Sequence, residues 1–100
     1  MTKPEAAFDL VLHAVADPIR RRILQALKEK NAGVLKTETG LCALDIEERV
    51  RLSQSTVSHH MAVLRKAGLV VEKKRGLYRL YDRNENAIAQ LLRHLKHRLS

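Results

Sequence analysis

Residues 53–70 read SQSTVSHHMAVLRKAGLV, a capping serine, an amphipathic run and an Ala-Gly stop that leads into a valine pair. Ser53 belongs to the residue types whose side-chain oxygen caps a helix N-terminus. Val57, Met61 and Leu64 then recur at offsets 0, 4 and 7, which is one apolar face of a helix. Ala67-Gly68 ends it, glycine being the usual residue just past a helix terminus. From Leu69 the period drops to two, with LVVEK, a polar KRG turn and LYRLY, the pattern of a β-hairpin.

The faces of this helix carry different chemistry. At about 100° per residue, Val57, His60, Met61 and Leu64 share one side, while Ser55, Ser58, His59, Ala62 and Lys66 share the other. The adjacent histidines therefore diverge. His60 is expected to pack at the core edge and hydrogen-bond a neighbour, whereas His59 lies on the outer face among hydroxyls.

Upstream, Pro4 suits a first helical turn, and Phe8, Val11, Leu12 and Val15 form a helical stripe. Asp17-Pro18 pairs an N-cap with an N1 proline, opening a second helix to about Lys30 with Ile19, Ile23, Ala26 and Leu27 on its apolar face. Arg20, Arg21 and Arg22 lie opposite that face, where phosphate contact and ion pairs with nearby acids are both open. Residues 31–40 read as a loop with a brief strand at Val34-Leu35, and Leu41 to about Val50 as a short third helix with Leu41, Leu44, Ile46 and Val50 apolar. RLS is a tight turn. Downstream, a last helix from about Asn86 carries Ile88, Leu91, Leu92, Leu95 and Leu99. The order α-α-α-α-β-β-α, mainly α with a small β-hairpin, is that of a winged helix-turn-helix occupying residues 1–100 as one domain.

The composition fits a reader of polyanions. Nineteen Lys and Arg against eleven Asp and Glu give a net charge of +8, which favours nucleic acid over an acidic membrane surface. Seven basic residues, Arg65, Lys66, Lys73, Lys74, Arg75, Arg79 and Arg83, crowd the fourth helix and hairpin against two acidic ones, Glu72 and Asp82. The helix N-terminus, with Gln54, Ser55, Thr56, Ser58 and His59, suits phosphates and base edges in a major groove; glutamine pairs with adenine, and hydroxyls contact several bases. Arg65 and Lys66 extend that surface. Lys73, Lys74 and Arg75, placed at the hairpin tip, would hold the backbone or minor groove without reading sequence.

The stripes of the two terminal helices, at about 4–16 and 86–99, have a reading of their own. A chain of 100 residues builds only a modest core, so Phe8, Val11, Leu12 and Val15 with Ile88, Leu91, Leu92 and Leu95 are expected to close a homodimer across a two-fold axis. Packing of both stripes within one subunit is the alternative. No apolar run approaches the roughly 20 residues that cross a bilayer, the N-terminus lacks a signal-peptide h-region, and one cysteine precludes an intrachain disulfide. A cytoplasmic protein, with no membrane partner, is expected.

ADPIRRRIL (16–24), GLCALDI (40–46), LSQSTVSHHMAVLRKAGLV (52–70) and GLYRLY (76–81) resemble the ArsR/SmtB family of bacterial repressors. The resemblance implies a homodimer of winged-helix subunits that binds a palindromic operator on double-stranded DNA and is released by an inducer, often a metal or metalloid. Metal-sensing members carry Cys-Val-Cys-Asp in the third helix; here the matching residues are Cys42, Ala43, Leu44 and Asp45. One thiolate does not make the soft-ligand set such an ion prefers, so Cys42 is read as a buried small hydrophobe, with a thiol sensor as the alternative. A second family site, Asp-x-His on the last helix, meets Asn84 where the histidine would fall after Asp82. His94 and His97 form a His-x-x-His pair out of register with that site, open as ligands only if His13 or a carboxylate of a partner subunit completes them. No cofactor is expected, and the inducer is unknown.

An enzyme is not expected. Ser58 and His59 are adjacent, but neighbouring helical residues point about 100° apart, and no orienting acid or oxyanion hole accompanies them. The remaining rival is a winged-helix adaptor that turns the same basic face to an acidic protein.

Overall fold

The computed structural model describes residues 3–29 and 41–100. The elements run α1 (Lys3–Val15), α2 (Pro18–Lys28), β1 (Leu41–Cys42), α3 (Ala43–Val50), α4 (Gln54–Lys66), β2 (Val70–Arg75), β3 (Tyr78–Arg83) and α5 (Glu85–Leu99). The loop and the brief strand expected at Val34-Leu35 fall outside the described residues. A winged helix-turn-helix is what forms, with one strand more than the hydrophobic pattern indicates.

Local chemistry sets most of the boundaries. The Asp17 carboxylate accepts from the Ile19 and Arg20 N–H groups at 2.8 and 3.1 Å, opening α2. Those N–H groups, the one from Arg20 foremost, hold the carboxyl below its ordinary pKa. Ser53 accepts from the Thr56 N–H to open α4, and Asn84 accepts from the Ala87 N–H at 3.1 Å to open α5. The Asn84 amide also donates to the Gly68 carbonyl at 3.0 Å, joining the start of α5 to the end of α4. Arg51, with φ at 56°, makes the left-handed step that turns α3 into α4.

Three sequence expectations are corrected. Leu41 and Cys42 are strand rather than helix, because they pair antiparallel with Tyr81 and Leu80 of β3, giving the sheet order β1-β3-β2. The helix therefore starts two residues later, and Leu44, expected on its apolar face, is 64% exposed. The hairpin turn is Gly76-Leu77 rather than KRG, since Arg75 pairs with Tyr78 and β2 runs through Lys73, Lys74 and Arg75.

The arginine run of α2 is the third. Arg20 is buried, its Nε donating to the Ala14 carbonyl at 2.7 Å, Nη2 to the His13 carbonyl at 3.3 Å and Nη1 to His60 Nδ1 at 3.1 Å. Arg21 donates to the Val15 carbonyl at 2.8 Å and Arg22 to that of Val50 at 2.9 Å. These carbonyls end α1 and α3, where intrahelical donors run out. Arg49 returns the favour, donating to the Ala26 and Glu29 carbonyls at the end of α2. An arginine donor on one helix thus caps the C-terminus of its neighbour, and Arg20 adds an acidic contact, 3.8 Å from Asp17.

The core lies between α2, α3, α4 and the base of the sheet, with Ile23, Leu27, Leu41, Ile46, Val57, Leu64, Leu69, Val70 and Leu80 almost wholly enclosed. Val57, Met61 and Leu64 occupy it as the face of α4 requires. No helix among the described residues is long and apolar enough to cross a membrane.

Candidate nucleic-acid interface

α4 presents its polar face outward. Gln54, Ser55, Ser58, His59 and Ala62 are exposed, while Thr56 is half-buried and its hydroxyl accepts from Ser53 at 3.0 Å. Its first turn supplies N–H groups and short hydroxyls, and no acidic side chain stands there. Arg65 and Lys66, also exposed, continue toward the wing.

His60, on the opposite side, fixes the helix to the body of the domain. Arginine has donors only, so the Nδ1 that receives Arg20 carries a lone pair and the ring is neutral with its proton on Nε2. Burial pushes the His60 pKa down; the Asp17 carboxylate acts against that, and the Arg20 and His59 charges reinforce it. The pocket therefore favours the neutral ring that the hydrogen bond needs.

The wing is tied to α4 by Glu72. Its carboxylate, mostly buried, contacts the Arg65 guanidinium on α4 and lies 3.3 Å from Arg79 Nη1 on β3. Arg65 is thus committed to an ion pair as well as placed at the candidate surface. From sequence, Glu72 and Arg79 enter only the charge balance of the wing, with no role of their own. The available signal was the period of two, which puts Glu72 on the inward face with Val70. Lys73, Lys74 and Arg75 stand exposed on the distal half of β2, short of the tip.

Comparison with known proteins agrees with this arrangement. A family model described as a helix-turn-helix domain matches residues 15–73. YbzH, an uncharacterized HTH-type transcriptional regulator of Bacillus subtilis, is 34% identical, covering 86% of this chain and 92% of that protein. The putative arsenical resistance operon repressor ArsR2 of Halobacterium salinarum is 33% identical over 75% of this chain and 57% of its own. A crystal structure described as a possible transcriptional regulator for arsenical resistance superposes with a TM-score of 0.72 at 29% identity, over 87% of this chain and 81% of that one.

The chain belongs to the ArsR family of winged helix-turn-helix transcriptional regulators.

In this ArsR-family regulator the three sensor candidates are not brought together. Cys42 is buried at the end of β1, its thiol donating to Asp45 Oδ2 at 3.2 Å and its N–H to the same oxygen at 3.3 Å. Burial raises the thiol pKa, against the direction that makes a cysteine reactive. His94 and His97 are exposed on α5; the His94 ring meets Phe8 edge-on at 6.3 Å, and the Arg98 guanidinium lies over the Phe8 ring at 4.5 Å. Among the described residues no three His, Cys, Asp or Glu side chains gather where they would hold a metal ion.

The terminal stripes divide in this ArsR-family subunit. Val11, Val15 and Ile88 pack against the core, Leu91 is buried, and Phe8 and Leu95 are half-buried. Leu12 and Leu92 stay exposed, joined by Leu10 and Leu99.

Proposed function

We propose that this transcriptional regulator is a homodimeric repressor that occupies an inverted-repeat operator, with α4 in the major groove and the wing on the flanking backbone. The observation that carries the reading is the outward face of α4. Gln54, Ser55, Ser58 and His59 are exposed together beside a small Ala62, on a helix that His60 ties to Arg20 and Arg65 ties to Glu72 of the wing. The exposed leucines of α1 and α5 support a dimer through those helices, which would set the two copies of α4 roughly 34 Å apart, one turn of DNA. Repression, rather than activation, is favoured by the relative named as an operon repressor. Cys42, enclosed and bonded to Asp45, favours a DNA-binding state that needs no thiol-bound metal.

Selection from a random duplex library, with the purified full-length protein at one stated salt concentration and with and without chelator, tests this. An enriched inverted repeat bound at least about 10³-fold better than random DNA is expected, unchanged by chelator. Failure to enrich any sequence would overturn the reading. On the selected duplex, Ser55→Ala with Ser58→Ala is expected to reduce discrimination by roughly 1–3 kcal/mol. Lys74→Ala should weaken all duplexes alike and lower the salt slope by about one unit.

A further inference from the structure

The exposed large apolar side chains among the described residues fall into groups. Leu10, Leu12, Leu92 and Leu99 lie on the terminal helices, where the proposed dimer accounts for them, and Val71 stands on β2. Leu44, Leu77 and Tyr78 border a cleft of about 360 Å³ between α3, α4 and the wing. Leu77 is the extreme case, exposed as fully as in an unfolded chain.

The turn does not ask for a leucine. Arg75 pairs with Tyr78, so Gly76-Leu77 is a two-residue loop, and only Gly76 has positive φ, 60°. That is the pattern of a type II′ turn, which requires glycine first and accepts polar residues second. Water would favour serine or asparagine at the second position; the chain places a four-carbon apolar group there.

The surroundings of that group are those of a DNA contact. Leu80 is the last buried side chain on β3 before the tip, and three residues of strand carry Leu77 about 10 Å beyond it. Along this projection Lys73, Lys74, Arg75 and Arg79 are exposed. The wing is therefore a cationic shaft with an apolar point. Proteins that enter the minor groove pair these two features, cations on the phosphates and a leucine, phenylalanine or methionine pushed between base pairs.

We propose that Leu77 is an apolar wedge that the wing inserts into the minor groove beside the operator half-site, partly unstacking a base step and bending the duplex. Because pyrimidine–purine steps unstack most readily, the wedge adds a sequence preference at a position no polar side chain reads. This rests on the DNA-binding function proposed above.

The test uses full-length Leu77→Ser and Leu77→Phe proteins, shown to be folded by circular dichroism, on the selected duplex labelled at both ends. Gly76 is kept, so the turn geometry is kept. Leu77→Ser is expected to bind about ten-fold more weakly, with an unchanged salt slope because no charge is lost, and to bend the duplex less by energy transfer. Leu77→Phe should retain affinity and bend. Binding by Leu77→Ser within two-fold of wild type with the same bend would overturn the wedge, as would a loss that comes with a changed salt slope. The Ser55/Ser58 double variant separates the two proposals: if it loses discrimination while Leu77→Ser does not weaken, the wedge alone fails. If wild-type protein enriches no duplex at all, both fail.

Discussion

Replacing Arg20 by methionine isolates the contribution of one guanidinium at the junction of three helices. Methionine keeps much of the apolar stem and removes every donor. In the wild-type protein those donors serve the Ala14 carbonyl at 2.7 Å, His60 Nδ1 at 3.1 Å and the His13 carbonyl at 3.3 Å. The His13 carbonyl has a second donor, the Ala16 N–H at 3.2 Å, so two acceptors lose a bond that matters. Hydrogen bonds from a charged donor contribute about 1.5–3 kcal/mol each. Against this, removing a buried cation relieves its desolvation penalty, which is several kcal/mol before compensation. The net loss is expected at about 2–4 kcal/mol, read by urea unfolding at fixed protein concentration, since a dimer's stability depends on it. Arg20→Lys, which can serve only part of the set, should fall between. A loss below about 1 kcal/mol for the methionine variant would refute the view that Arg20 joins α1 and α4, and would leave its burial as packing alone.

Two further outcomes follow from the titratable groups. His60 has its folded pKa pushed below 6.5 by burial, so the unfolded chain takes up a proton that the native one refuses. The stability that neutral His60 supplies is therefore complete above about pH 6.5, is lost as pH falls toward the lowered folded value, and levels off beneath it. His60→Gln should flatten this segment of the stability curve, and parallel curves for the two proteins would contradict the linkage. Cys42, buried with a raised pKa, should react with iodoacetamide only as fast as the domain opens; prompt stoichiometric alkylation of the native protein at mildly alkaline pH would show an accessible thiolate.

Much of this protein was legible locally. Asp17-Pro18, Ser53 and Gly68 act on N–H groups or torsions within a few residues of themselves, so the limits of α2 and α4 follow from neighbours in the chain. The face of α4 followed from helical period alone, which is why Val57, Met61 and Leu64 are inside and Gln54, Ser55, Ser58 and His59 outside. The basic excess around the wing needed only counting.

What tertiary structure decided has in each case a partner far along the chain. Leu41 and Cys42 are a strand only because β3 offers them an edge some forty residues later. Arg20 looked like a surface charge because its acceptors, the end of α1 and a histidine 40 residues away, are visible only once the helices meet. Glu72 is bound to Arg65 of α4 for the same reason, and Leu44 is left outside in the first turn of a helix that starts only at Ala43, after that strand. Period and capping report on torsions and on one buried face; which carbonyl a buried arginine reaches, or which apolar residue remains without a cover, depends on how those faces are assembled.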